Sequence, residues 1–354
     1  MRAVIFDAPR TARSAEVGEP RPGPGEVLVR TRLAGLCGSD MHAYLGTQPF
    51  FVYPQIPGHE VIGEVVAGGE GVGLGAGRRV VLDPTINCGV CRACRLGRYN
   101  CCATIRVIGV HAPGVLAEAF VAPARRLHPI ADNVPDEVAV LAEPLSIGFH
   151  AADRAEVQAD DQVAIIGAGA IGLALVLMVR ARGGRCLVID REQSRLDLAR
   201  SMGAEVAINV SAMDPVAAVR EWTEGEGVAR TFEAVGTPQT IRAAAEMTAT
   251  AGRMVILGLC QKDVALPPSM FIRKELEVVG SRLHQNTVEK VVAMLERSEI
   301  GPRGMRTAIR PLDEYQSALD DLEHRPGEFV KIALKLGTGT DLHRIDDISS
   351  TWCK

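Results

Sequence analysis

The chain has 354 residues, 47% apolar and 23% charged, with a formal net charge of −4. That length fits about two domains with a sizeable core, and the composition excludes a disordered chain. The acidic balance without a basic block argues against a nucleic-acid partner. The apolar run Ile171 to Val179 is too short to cross a bilayer, and the N-terminus MRAVIFDAPR lacks a signal-peptide core.

The expected location is the cytoplasm, where nine cysteines stay reduced. Up to about residue 150 the chain reads as short strands broken by Gly and Pro. Val27 to Leu33, Val61 to Val66 and Arg79 to Leu82 are such strands, separated by turns like PRPGPGE and GGEGVGLGAG. Ser146 to Val157 reads as a helix. From Gln162 the pattern changes. QVAII, RCLVI, EVAIN, RTFEAV, RMVIL and ELEVV are short apolar runs, and amphipathic stretches such as Arg191 to Met202 and Thr237 to Ala249 lie between them. Six buried strands alternating with helices predict an α/β, doubly wound parallel sheet. Beyond Gly280 the spacing predicts helices over Asn286 to Ser298 and Asp313 to His324, and a strand over Phe329 to Leu336. Residues 337–354 read as a flexible tail.

Three constellations carry chemistry. Gly167-Ala168-Gly169-Ala170-Ile171-Gly172 is a G-x-G-x-x-G that follows a strand and opens a helix. Its glycines permit a tight turn, backbone approach to a pyrophosphate and close helix–strand packing, and the helix N-terminus attracts the phosphates. Asp190 ends the next strand at the spacing where a carboxylate binds a ribose 2′-hydroxyl. That favours NAD over NADP, and Arg191 and Arg195 soften the preference.

Cys88, Cys91, Cys94 and Cys102 have the x2 spacing of a knuckle. Four thiolates close a tetrahedral shell, so this is a structural zinc site with Cys101 as the spare. Cys37, His59, Glu60 and Glu143 offer a thiolate, an imidazole and two carboxylates for a catalytic zinc, which keeps one position open. Neighbours on a regular strand face opposite ways. His59 and Glu60 therefore share an ion only if the backbone is irregular, which Gly58 permits. Whether Glu60 or Glu143 supplies the carboxylate is left open by the sequence. His150, Cys186 and Cys260 read as packing residues. His111 and His284 are evenly balanced between pocket and loop.

In this order CGSD, GHE, the four-cysteine lobe, EPLS and GAGAIG resemble the zinc-dependent medium-chain dehydrogenase/reductase family over about residues 1 to 336. The resemblance implies a GroES-like β-rich catalytic domain at 1–150 and 286–336, with a Rossmann NAD-binding domain at 151–285 inserted in it. CGSDMHAY, PFFVYPQIPGHEVIGEV, RVIGVHAPG and GSRLHQN look closest to the polyol and sugar-acid branch, which contains sorbitol, threonine and L-galactonate or L-gulonate dehydrogenases. HAPGVLAEAF departs from the acidic residue and paired glycines usual there. The implied enzyme oxidises a secondary alcohol with NAD and two zinc ions per subunit, one catalytic and one structural, and is a tetramer or dimer. Ser39 would accept the hydroxyl proton and pass it through the cofactor ribose to His42. Ile171 would pack near the cofactor, Asp190 and Arg195 would hold the adenosine ribose, and Leu257, Gly258, Leu259, Ser281 and Arg282 would line the nicotinamide end. Arg282 is also the candidate for a substrate carboxylate. Threonine or a diol is the alternative substrate. More distant alternatives are a zinc-free reductase of the same fold, a zinc-knuckle nucleic-acid binder and a non-enzymatic binding protein that retains the fold.

Overall fold

The computed structural model describes residues 1–305 and 307–336, so the tail read over 337–354, with Cys353, lies outside the described residues. The chain divides into two compact units, Met1–Glu143 with the segment from Val288, and Pro144–Thr287. The composition change puts the first junction at 150, whereas the units part inside the helix Ala142–Ala155. A helix carries no compositional break, so the sequence gives no signal there.

In the first unit a seven-stranded sheet runs in the order Thr307–Pro311, Lys331–Lys335, Glu26–Leu36, Glu60–Gly68, Arg79–Leu82 and Leu127–Pro129, with Ala119–Pro123 pairing Glu26–Leu36 off this path. The strands are rich in β-branched residues, which suit a pleated and partly buried surface. Val27, Val29, Leu82, Phe120, Ile332 and Leu334 pack in one core with Phe6 and Leu116. Arg2–Ala8 and Thr11–Glu16 form a further antiparallel pair. The polar sequence TARSAE hides that strand from a reading by periodicity.

The second unit is a six-stranded parallel sheet. Its order is Val206–Asn209, Arg185–Asp190, Gln162–Ile166, Val228–Glu233, Thr248–Ile256 and Glu277–Gly280. In chain order this is 3-2-1-4-5-6, the doubly wound arrangement, which reverses direction after the first strand. The α/β class, with a β-rich unit and a doubly wound six-stranded parallel sheet, is therefore as expected. The helix Ala170–Ala181 is buried from Gly172 through Val179, so it is apolar all round and sits deep in the unit. Helices Pro215–Trp222 and Pro268–Lys274 add to those read from the sequence. Asp214 caps the first of them by accepting the Ala217 N–H. No helix among the described residues is long and apolar enough to cross a membrane.

Candidate active site and metal centres

Two neighbouring strands of the first unit bring one donor cluster together. Glu26–Leu36 runs straight into Cys37, which begins the short helix Gly38–Tyr44. Glu60 opens the next strand and lies opposite Gly35. His59 precedes it, after Gly58 at φ +92°, a left-handed conformation that only glycine adopts at little cost. This is the irregular backbone that lets consecutive residues face one point. Cys37, His59 and Glu60 place their ligand atoms within 4.8 Å of one another.

The helix start is built around Asp40, which is 1% exposed. One oxygen accepts the Cys37 N–H at 2.9 Å and the other the Gly58 N–H at 3.1 Å. The second also lies 3.8 Å from His59 Nδ1. A single carboxylate thus fixes the turns carrying two of the donors, and charged groups behind metal ligands commonly orient them in this way. Asp40 was not assigned a role from the sequence. Its position as third residue of a helix, able to reach back to the first N–H, was the available signal.

Lys331, in the closing strand, carries no local sequence signal for a role at this site. It is 2% exposed, and its ammonium lies 2.6 Å from Glu60 Oε1 and donates to the Leu36 carbonyl at 3.2 Å. Burial pushes this ammonium down, but Glu60, Cys37 and Glu143 together hold it above its ordinary value. Burial likewise opposes protonation of His59, while Asp40 and Cys37 carry it well above the usual histidine range. Glu143, in the first turn of its helix, is pushed by burial up to about 7, against the pull of His59. Its ligand oxygen is not part of the 4.8 Å cluster.

These features test whether a metal fits. Glu60 Oε2 and Glu143 Oε2 are buried carboxylate oxygens without a hydrogen-bond partner. A thiolate, an imidazole and a carboxylate around one point form a donor set suited to zinc, and a dication would satisfy the crowded anions. The residues fit. Ser39 Oγ lies 3.5 Å from His59 Nε2. His42, one turn further along the helix, is exposed with Nδ1 at 2.9 Å from Thr47 Oγ1.

The second cluster is Cys88, Cys91, Cys94 and Cys102, again within 4.8 Å. The Cys88–Cys102 and Cys88–Cys94 sulfur separations are 3.5 and 4.0 Å. The edge of a tetrahedron with Zn–S bonds of about 2.3 Å is about 3.8 Å, so the spacing suits zinc. No disulfide forms among the described cysteines. Backbone N–H groups of Ala103 and Cys94 draw Cys91 down to about 6, and the Cys88 N–H lowers Cys102. Asn87 donates to Cys94 Sγ at 3.5 Å and accepts from Arg126 at 2.6 Å. The buried Arg126 also pairs with Asp83, which ties the lobe to the sheet. Cys101 is exposed and outside the cluster. Cys88→Ala is expected to remove one zinc per chain and lower the melting temperature by roughly 5 °C or more, because metal binding contributes to folding. Full metal content with unchanged melting would contradict this.

In the second unit the cofactor candidates lie at the carboxyl ends of parallel strands, where ligands bind such sheets. Gly167 takes φ +101° after the first strand. A Cβ on Gly172 would stand 1.7 Å from the Gly167 carbonyl oxygen, so the helix packs there only without one. A Cβ on Gly169 would meet nothing within 4 Å, and this residue caps the helix Ala170–Ala181, in whose first turn Ile171 lies. Asp190 Oδ2 accepts the Ala168 N–H at 2.6 Å, and Oδ1 accepts from Arg191 and Glu192. It therefore braces the glycine loop. Arg195 begins the third residue of the next helix. Leu257 and Gly258 donate to the Glu233 carbonyl, Leu259 is 65% exposed, and Ser281 donates to the Ile256 carbonyl beside the exposed Arg282. Glu233, fully buried, accepts from Val235 N–H, Gly236 N–H and Thr240 Oγ1 and so shapes the neighbouring loop. A single acidic residue inside an apolar run carries no local sequence signal. His150 and Cys186 are buried, and His284 is fully so. His111 accepts the Val107 N–H and stacks on Phe50.

Residues 23–132 match the alcohol dehydrogenase GroES-like domain family, and residues 170–297 the zinc-binding dehydrogenase family. The L-threonine 3-dehydrogenase of Pyrococcus furiosus is 36% identical over 334 residues, covering 92% of this chain and 95% of that protein. The chain belongs to the zinc-dependent medium-chain alcohol dehydrogenases. The Escherichia coli K12 L-galactonate-5-dehydrogenase is 33% identical over 283 residues, covering 80% of this chain and 83% of the relative. Among solved structures, an alcohol dehydrogenase from Escherichia coli CFT073, complexed with NADH, superimposes with a TM-score of 0.90 at 32% identity, covering 95% of this chain and 99% of that one. This medium-chain dehydrogenase is thus an oxidoreductase acting on CH–OH donors, of the polyol and sugar-alcohol kind, with zinc and a nicotinamide dinucleotide as cofactors.

Proposed function

We propose that the chain oxidises a secondary hydroxyl of a polyol or sugar acid, of L-galactonate or L-gulonate type, with NAD. The observation that carries this reading is the contrast between the two clusters. The lobe offers four sulfurs, a closed shell. The Cys37, His59 and Glu60 cluster offers three mixed donors, which leaves a position for a substrate oxygen. Zinc bound there supplies Lewis acidity that lowers the pKa of an alcohol hydroxyl. The nicotinamide supplies the hydride acceptor. Around these groups the chain's own residues orient and move a proton. Asp40 and Lys331 set the donors, Ser39 receives the hydroxyl proton, and His42, exposed one helical turn on, is its exit to solvent. Glu143 is a nearby carboxylate that takes a zinc position only after moving, so Glu60 is the resting ligand. Arg282, exposed after the last strand of the parallel sheet, is the candidate for a substrate carboxylate.

Support for the substrate class comes from CGSDMHAY and GSRLHQN and from the L-galactonate-5-dehydrogenase relative. The threonine dehydrogenase relative supports threonine or a diol as the second reading. The test is NAD reduction across sugar acids, polyols, diols and amino alcohols. A hexonate or polyol is expected to give the highest kcat/KM. Fastest turnover of threonine or a vicinal diol would replace this reading with the second. Asp190→Ala is expected to lower the NAD to NADP preference about tenfold or more, the worth of one hydrogen bond to a charged group. An unchanged ratio would remove Asp190 from ribose recognition. A cytoplasmic homo-oligomer, tetramer or dimer, completes the proposal.

A further inference from the structure

Lys331 is an unusual neighbour for a dication site. A buried ammonium normally weakens metal binding, and this one is held against Glu60 by position. Its strand, Lys331–Lys335, flanks Glu26–Leu36 on one side, and Glu60–Gly68 flanks it on the other. The ammonium therefore reaches Glu60 across the central strand. Gly35 leaves the room, since a Cβ there would stand 2.4 Å from Glu60 Oε2. Oε1 is engaged at 2.6 Å by Lys331, and Oε2 is buried without a partner. The two oxygens of one carboxylate are thus made unequal by a residue 271 positions away.

We propose that Lys331 is a positioning residue that restricts Glu60 to one oxygen toward the catalytic metal and so keeps a coordination position open for substrate. The proposal rests on the reading that Cys37, His59 and Glu60 hold that metal. Two physical effects act in the same direction. A carboxylate can engage a dication with one oxygen or with both, and an ammonium held on one of its oxygens removes the two-oxygen mode. The ammonium also repels the dication through a low-dielectric interior. Removing the Lys331 charge is therefore expected to make the site hold metal more tightly, while a residue that merely supported the fold would loosen the site when lost.

The sign of the change is the test. Metal release to a chelator is followed in the full-length protein loaded with zinc, and the visible spectrum is recorded with cobalt in its place. The catalytic-site phase is defined as the one absent in Cys37→Ala. Lys331→Met is expected to slow that phase at least about tenfold, the usual scale for residues behind metal ligands, and to shift the cobalt bands. Both changes are expected to vanish in a Glu60→Gln background, and Lys331→Arg is expected to restore near-native release. Where Lys331→Met does not fold, Lys331→Gln, which keeps a donor without the charge, carries the same expectation. Unchanged or faster release in the neutral variant, or slow release in Lys331→Arg, would overturn the restraint. Absence of the phase from the native protein would instead overturn the metal reading, and the restraint with it.

Discussion

Cys37→Ala is expected to abolish dehydrogenase activity and to lower bound zinc by about one ion per chain, leaving the ion of the cysteine lobe in place. Cys37 is one of three donors in the 4.8 Å cluster and the one whose thiolate gives zinc its strongest bond there. Two remaining donors do not complete a zinc site. The metal's contribution to the reaction is several kcal/mol of charge stabilisation. At about 1.4 kcal/mol per decade, its loss corresponds to a fall in kcat/KM of about a thousandfold or more. Metal analysis of the purified variant, read beside its turnover, checks both halves. Turnover within tenfold of native, or two zinc ions retained, would contradict the assignment. The two clusters lie on separate segments of one unit, and the lobe is anchored by Arg126 with Asp83 and Asn87, so folding is expected to survive.

The second large effect is expected at Gly172→Ala. A methyl group there would overlap the Gly167 carbonyl oxygen, which is backbone and has no rotamer to yield. The helix Ala170–Ala181 must then lift from the strand Gln162–Ile166, and the loop between them opens. In the proposed function that loop, at the N-terminus of its helix, receives the pyrophosphate. NAD affinity is expected to fall about a hundredfold or more, equivalent to about 2.7 kcal/mol, with a lower melting temperature and an unchanged zinc content. Gly169→Ala is the informative partner. Its added carbon meets no atom of the protein within 4 Å, so melting is expected to stay near native, while NAD affinity is expected to fall if the second glycine of this motif is where backbone approaches the pyrophosphate. Titration of NAD with both variants, alongside thermal melts, separates packing from ligand contact. Native NAD affinity in Gly172→Ala would contradict the role given to the loop.

Motifs that are local in the chain were legible in the sequence. The glycine loop, the four-cysteine lobe and the six apolar runs are each contiguous, and their spacing alone states what they build. Cys37, His59 and Glu60 were legible as donor types, and Gly58 was legible as the residue that makes their convergence possible. Other features depend on registration between strands distant in sequence. Lys331 appears in the sequence as one lysine in an apolar closing strand. Only the pairing of Lys331–Lys335 with Glu26–Leu36 brings it to Glu60. The choice between Glu60 and Glu143 is of the same kind, since composition cannot say which carboxylate oxygen falls within reach of Cys37 and His59. Asp40 was visible in CGSD, yet its two N–H bonds reach both ends of the cluster, and the second end, Gly58, lies on another segment. The N-terminal strand pair was hidden because Thr11–Glu16 is largely exposed and carries no apolar alternation.

The most direct measurement is an anomalous-scattering map at the zinc edge from crystals of the purified protein. Two peaks are expected, one enclosed by Cys88, Cys91, Cys94 and Cys102, and one bounded by Cys37, His59 and a single oxygen of Glu60, with Lys331 on the other oxygen. A peak in the cysteine lobe alone, with no metal at Cys37, His59 and Glu60, would contradict the account.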